Sequence, residues 1–299
     1  MPMPHYVNRY QLDGSLQPFA AYGAEMFGFV FNGTPDALTS LVDRYLNRAP
    51  ANQFRYQPLV PEVLFAFTST KWMTATNPPF SRCGGAGELE LTVWVVVQEL
   101  NSGTIALFTP YTLLDNPLAV LQGREIYGFP KEMARFPTWE KGQFDVEAYA
   151  VGECREDAVG TYQQILSVTQ DSPDHPAGGQ HPTFTALKDA LLTAGLAVAN
   201  LAPEALLLPK GPIVFLKQLP DAADSRFASY QALVEASIEI STIRWVEYPG
   251  TYTITLENFW SHPLITDLGV ADGSSSVFSY FVNFDFTLGA GKELWRAQA

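Results

Sequence analysis

Between Val277 and Leu288, the residues Phe278, Tyr280, Val282, Phe284 and Phe286 all share one parity. Side chains alternate across a strand, so this spacing stacks every one of them on a single face. Segments of related character recur along the chain at Met26–Phe31, Val63–Thr68, Glu88–Val97, Ile105–Pro110, Phe144–Val151 and Tyr162–Val168. Further ones follow at Pro209–Leu219, Ser229–Ile240, Arg244–Tyr248 and Thr251–Leu256. Aromatic and β-branched residues suit a pleated, half-buried surface, and a mainly β chain with a few helices is predicted. Thr34 or Asp36 is placed to cap a helix running through Ala37, Leu38, Leu41, Val42 and Tyr45, and Phe184–Leu201 has the spacing of an inserted helix. Residues 1–22 read as an irregular arm, and residues 70–87 and 171–179 as loops. No internal repeat or linker divides the 299 residues, so a single domain over 1–299 is expected.

Composition narrows the function. Hydrophobic residues make up 47% and charged residues 16%, enough for a sizeable core. A formal net charge of -13 argues against nucleic acid and against an anionic membrane surface as partners. No apolar run reaches the length of a membrane span, and Met1-Pro2-Met3-Pro4-His5 lacks the apolar region of a signal peptide. The two cysteines, Cys83 and Cys154, form no disulfide framework or metal pattern and suit a reduced, cytoplasmic setting. Asn32-Gly33-Thr34 reads as a turn. Cys83-Gly84-Gly85-Ala86-Gly87 lacks the lysine and the spacing of a phosphate-binding loop. His175 and His181 have no carboxylate at ligand spacing, so no metal site is expected there.

The chemistry concentrates in Gln122-Gly123-Arg124-Glu125-Ile126-Tyr127-Gly128-Phe129-Pro130-Lys131-Glu132. Lys131 stands alone among apolar and aromatic residues, with the next lysine at Lys141. Burial disfavours an ammonium, lowers its pKa and yields a free amine able to attack a carbonyl. The opposing reading is a surface turn, because Gly-Phe-Pro is turn chemistry and most lysines lie in water. Period-two geometry puts Glu88, Glu90 and Thr92 on one strand face; these carboxylates mark either a site or a solvated strand end.

Gly-Arg-Glu followed by Gly-Phe-Pro-Lys resembles the active-site segment of the acetoacetate decarboxylase superfamily, in which the lysine forms a Schiff base. That family is the standing example of an activated lysine. Trp245-x-x-x-Pro249-Gly250-x-Tyr252, Pro263-Leu264 and Asp267-Leu268 resemble its later segments, and the order of motifs holds over roughly residues 20–297. The resemblance implies a cone-shaped antiparallel β-barrel with a flanking sheet and few helices, its interior housing the lysine. It implies Lys131 as the imine-forming residue and Glu90, with Glu88 as its rival, as the carboxylate pointing into the cavity. Arg124 and Glu125 would support the site, with Arg124 the nearest guanidinium for a two-pronged hold on a substrate carboxylate. Phe129, Tyr252 and Glu88 complete the expected substrate contacts. This chain departs from the family's decarboxylases at three positions. Glu132 replaces a second lysine and becomes a candidate acid/base, while Ala24 and Ala66 stand where an arginine and a glutamate are usual.

The implied activity is a Schiff-base lyase acting through Lys131 on a small or medium oxo acid, by decarboxylation or by aldol and dehydration chemistry. An isomerase or cyclase of a specialised pathway and a non-catalytic binding protein are the alternatives. No cofactor is expected, since the protonated imine is itself the electron sink, and the family commonly forms homo-oligomers.

Overall fold

Alternation governs most of the molecule. The computed structural model describes residues 17–50, 53–78, 80–82, 84–171, 211–247 and 249–297. The early strands are β1 (Phe19–Asn32), β2 (Tyr56–Ala75), β3 (Ala86–Glu99), β4 (Ile105–Leu114) and β5 (Lys131–Arg135). Next come β6 (Trp139–Glu140), β7 (Gln143–Ala150), β8 (Thr161–Gln170), β9 (Gly211–Pro220) and β10 (Ala228–Glu247). The last are β11 (Tyr252–Leu256), β12 (Ser274–Ser275), β13 (Phe278–Leu288) and β14 (Lys292–Arg296). Among the described residues three short α-helices punctuate them: α1 (Pro35–Val42), α2 (Pro117–Gln122) and α3 (Leu264–Leu268). Among the described residues no helix is long and apolar enough to cross a membrane.

All the strands belong to one large mixed sheet, ordered β12-β11-β8-β7-β5-β4-β3-β2-β1-β13-β10-β14. Strand β9 pairs with both β10 and β4. Hydrogen-bonded neighbours therefore run in a circuit from β1 through β2, β3, β4, β9, β10 and β13 and back to β1. The β4–β9 contact is short, Leu107 with Ile213 and Phe108 with Val214. Strands β5, β7, β8, β11 and β12 extend from β4 as the flanking sheet. The pairing is not wholly antiparallel as expected: β4 runs parallel to both β5 and β9.

Each circuit strand presents two faces to two different environments. Phe29, Phe31, Phe65, Phe67, Leu91, Val93 and Val95 pack outward against Phe144, Val146, Ile165, Val168 and Ile254 of the flanking sheet. Ring contacts knit this layer: Phe67 lies 4.9 Å from Phe144, and Phe29 lies 4.5 Å from Tyr252. The opposite parity, including Leu64, Ala66, Tyr280, Val282 and Phe284, forms a second cluster inside the circuit. Ala24 and Ala66 are fully buried members of that inner cluster.

Several boundaries differ from expectation. The arm assigned to residues 1–22 gives way to β1 at Phe19, because Phe19, Ala20 and Ala21 already pair with β2 and β13. The two strands expected at Ser229–Ile240 and Arg244–Tyr248 fall on one continuous strand, β10, which runs to Glu247 and whose register slips between Ile240 and Thr242 and again between Ile243 and Trp245. Those irregularities broke the alternation and made one strand look like two. Thr34 precedes α1 but makes no capping bond through its side chain, and the turn from Asp43 to Asn47 widens into a π-helical one that keeps Leu46 buried. Cys83, His175, His181 and the helix expected over Phe184–Leu201 lie outside the described residues.

Candidate active site

The lysine segment is shaped by capping and by two glycines. Asn116 accepts hydrogen bonds from the amides of Leu118 and Ala119, and Pro117 opens α2. The helix continues as a π-turn from Gly123 to Tyr127 and stops at Gly128, whose φ is 96°. Only glycine suits that position: its φ is left-handed, and a Cβ there would lie 2.6 Å from the Cα of Lys217. Gly123 plays a different part. A Cβ at Gly123 would sit 2.5 Å from Lys131 Cδ, so the lysine's aliphatic stem lies directly on this backbone.

Past the turn, Phe129 packs 4.1 Å from the Phe215 ring, and the chain enters β5 at Lys131. Lys131 pairs with Thr112 of β4, one strand away from β3. Its side chain points inward and only 8% of the residue is exposed. Nζ lies 2.9 Å from Glu90 Oε2, an ion pair by distance that is not aligned as a hydrogen bond. Thr92 donates from its hydroxyl to Glu90 Oε1 at 2.7 Å and anchors the carboxylate. The ammonium also lies 5.3 Å from the centroid of the Phe129 ring.

These groups open onto a cavity of about 170 Å³ inside the strand circuit. Glu88, Glu90, Thr92, Gln122 and Lys131 form its polar end. Trp94, Ile240, Ile243, Tyr280, Phe284 and Phe286 are prominent in its apolar walls. The hydroxyl end of Tyr280 packs on the backbone of β1, since a Cβ at Gly28 would come within 2.4 Å of its ring.

Sequence reasoning expects burial to leave Lys131 as a free amine. Burial does pull the ammonium down, but Glu88 and Glu90 push the other way and outweigh it, so the group titrates above the ordinary lysine range. Burial also pushes the Glu88 carboxyl up to about 7; Lys131 holds it back, while Glu90 and Asp115 add to the rise. The resting cluster is an ammonium beside two carboxylates, one of which takes up a proton near neutrality.

Of the residues singled out in the sequence, Lys131, Glu88, Glu90 and Phe129 line this one cavity. Parity carried both glutamates inward together. Four others are elsewhere. Arg124 is exposed, does not line the cavity, and donates from Nη1 to the Lys131 carbonyl at 3.1 Å, bracing the backbone from outside. Glu125 is exposed on the same turn and does not line the cavity. Glu132 points to the opposite face of β5, as alternation requires, where its half-exposed carboxylate meets Nε2 of buried His262 at 3.1 Å. Tyr252 is fully buried between the sheets, and its hydroxyl donates to the Lys141 carbonyl at 2.7 Å. Tyr252→Phe is therefore expected to cost ~1 kcal/mol in chemical denaturation, the worth of one hydrogen bond, and to leave any chemistry at Lys131 within about twofold of the parent.

Sequence reasoning missed the apolar walls and Gly123. The shared parity of Phe278, Tyr280, Val282, Phe284 and Phe286 was the available signal, but it marks a buried face without saying whether that face closes on other side chains or on a cavity.

A family model described as acetoacetate decarboxylase matches residues 1–297. A search of curated proteins finds no match. Among solved structures, the acetoacetate decarboxylase of Legionella pneumophila is 19% identical, with a TM-score of 0.64, and the match covers 100% of this chain and 94% of that one. An acetoacetate decarboxylase-like enzyme from Sphingomonas wittichii is 12% identical, with a TM-score of 0.61 and coverage of 99% and 100%. The enduracididine biosynthesis enzyme MppR, complexed with the condensation product of pyruvate and imidazole 4-carboxaldehyde, is 15% identical, with a TM-score of 0.55 and coverage of 94% and 91%. At these identities the likeness is one of fold.

Proposed function

The chain belongs to the acetoacetate decarboxylase family, and on that premise we propose that it is an enzyme whose Lys131 joins the carbonyl carbon of its substrate as an imine. The observation carrying this reading is a single buried amine at the polar end of an apolar cavity, with two carboxylates beside it. The ammonium must first lose a proton. Glu88, with its raised proton affinity, is the natural acceptor within the cluster. The amine nitrogen then attacks the carbonyl carbon, and the carbonyl oxygen leaves as water after gaining two protons. The protonated imine accepts the electron pair released when a bond to the neighbouring carbon breaks.

That electron sink serves two lyase reactions. A β-oxo acid would lose CO₂, or the enamine would attack an aldehyde and the adduct would lose water. Condensation is favoured here, because Arg124 braces the lysine's backbone and the described lining residues include no guanidinium to hold a substrate carboxylate. MppR, on the same fold, was solved with a condensation product of pyruvate and an aldehyde; its donor carries a carboxylate, so the likeness extends to the type of bond formed and not to the donor. In either reaction water hydrolyses the final imine and restores Lys131.

Incubation with a ketone and cyanoborohydride, followed by peptide mass analysis, tests the reading: the reduced adduct should fall on Lys131. Its pH dependence is specific. Above the Glu88 pKa of about 7 the cluster already holds the proton count from which amine and protonated carboxyl form together, so the trapping rate should be flat. Below it an extra proton must leave, and the rate should fall about tenfold per pH unit. In Glu88→Gln that inflection should vanish; its persistence unchanged would remove Glu88 from the proton path.

A further inference from the structure

We propose that this cavity selects uncharged carbonyl compounds with a bulky apolar or aromatic body and discriminates against those bearing a carboxylate beside the reacting carbonyl. The proposal rests on Lys131 as the reacting group and adds the class of substrate. Its first support is charge. Among the described residues lining the cavity, Lys131 is the sole cation, against Glu88 and Glu90. Lys131 is already matched at 2.9 Å by Glu90. No arginine or histidine joins the described lining, and the guanidinium nearest in sequence, Arg124, is spent on the Lys131 carbonyl. A substrate carboxylate placed next to the forming imine would be desolvated, would meet two acidic side chains and would find no unmatched cation among the described lining residues.

The second support is shape. Away from the polar end the walls are Trp94, Ile240, Ile243, Tyr280, Phe284 and Phe286, drawn from β3, β10 and β13. Such walls reward apolar area removed from water and offer a carboxylate no positive charge. The volume of about 170 Å³ accommodates more than a three- or four-carbon acid needs. Selection is then a difference between two terms that point the same way: attraction for an apolar body and rejection of an anion.

Two matched pairs of probes test this on the intact protein. 4-Phenylbutan-2-ol and 2-hydroxy-4-phenylbutanoate share a phenethyl body, differ by a methyl against a carboxylate, and cannot form an imine. Calorimetric titration should show the alcohol binding at least about tenfold tighter. Equal binding, tighter binding of the acid, or no binding of the alcohol would overturn the proposal. The corresponding 4-phenylbutan-2-one and 2-oxo-4-phenylbutanoate, trapped with cyanoborohydride, should label Lys131 with the same order of preference, and preferential labelling by the acid would also overturn it. If the alcohol preference holds while neither carbonyl compound labels Lys131, the selectivity stands and the imine reading falls. Glu88→Gln should narrow the alcohol-to-acid gap by about threefold or more, because it removes one repelling charge; an unchanged gap would remove charge as the cause.

Discussion

Lys131→Arg is expected to abolish adduct trapping altogether and to lower turnover of any carbonyl substrate by roughly 10⁴-fold or more, the scale on which loss of a nucleophile is felt. The substitution isolates the chemistry. A guanidinium keeps the positive charge opposite Glu90 and Glu88, so the buried carboxylates are not stranded and the fold should survive. It cannot shed its proton inside a protein and so forms no imine. Lys131→Ala would be a poorer test, because two carboxylates would face an empty site and any loss would mix chemistry with instability. A mutant arginine enzyme retaining more than about a tenth of parental turnover would end the covalent reading.

Gly123→Ala should separate positioning from reactivity. The new methyl would sit 2.5 Å from Lys131 Cδ and 2.9 Å from Cε, so the stem must move while the amine itself is untouched. A displacement near 1 Å at a reacting atom costs about 100-fold, and a trapping rate lowered by about that factor is expected. Stability should not follow. Gly123 has φ of -62° and ψ of -45°, where alanine is at ease, and replacing a helical glycine usually gains ~0.5–1 kcal/mol. A slower enzyme that melts no earlier is the outcome to look for. A trapping rate within about threefold of the parent would show that the stem has room to step aside.

Which parts of this molecule the sequence disclosed follows from the range of each interaction. Period-two alternation is local, so the strands around Phe29, Phe65, Val93 and Tyr280 were legible, as was the face that Glu88 shares with Glu90, though not that both turn inward. The resemblance around Gly123–Lys131 located the lysine. Its protonation was not legible, because β4 lies between β5 and β3 and only that arrangement brings the glutamates to the amine. Arg124 and Tyr252 were misplaced for the same reason: nearness in sequence does not say which side of a turn or sheet a side chain takes. The bulged β10 hid its continuity because two register slips interrupt the pattern.

The lysine strand is short, and its parallel pairing with β4 couples Thr112 with Lys131, Leu113 with Glu132 and Leu114 with Met133. Moving that ladder by one rung would exchange the amine for the carboxylate of Glu132 inside the cavity, since neighbouring side chains point to opposite faces. Such a molecule would keep the inner apolar walls of β3, β10 and β13, and only the Ala134 edge of the outer layer would be disturbed. It would nonetheless carry an acid where the amine of Lys131 belongs. Counting trapped lysines in a refolded sample would thus measure the fidelity of assembly at one edge, and that yield can fall below the fraction that scatters light, melts or binds dye as native protein.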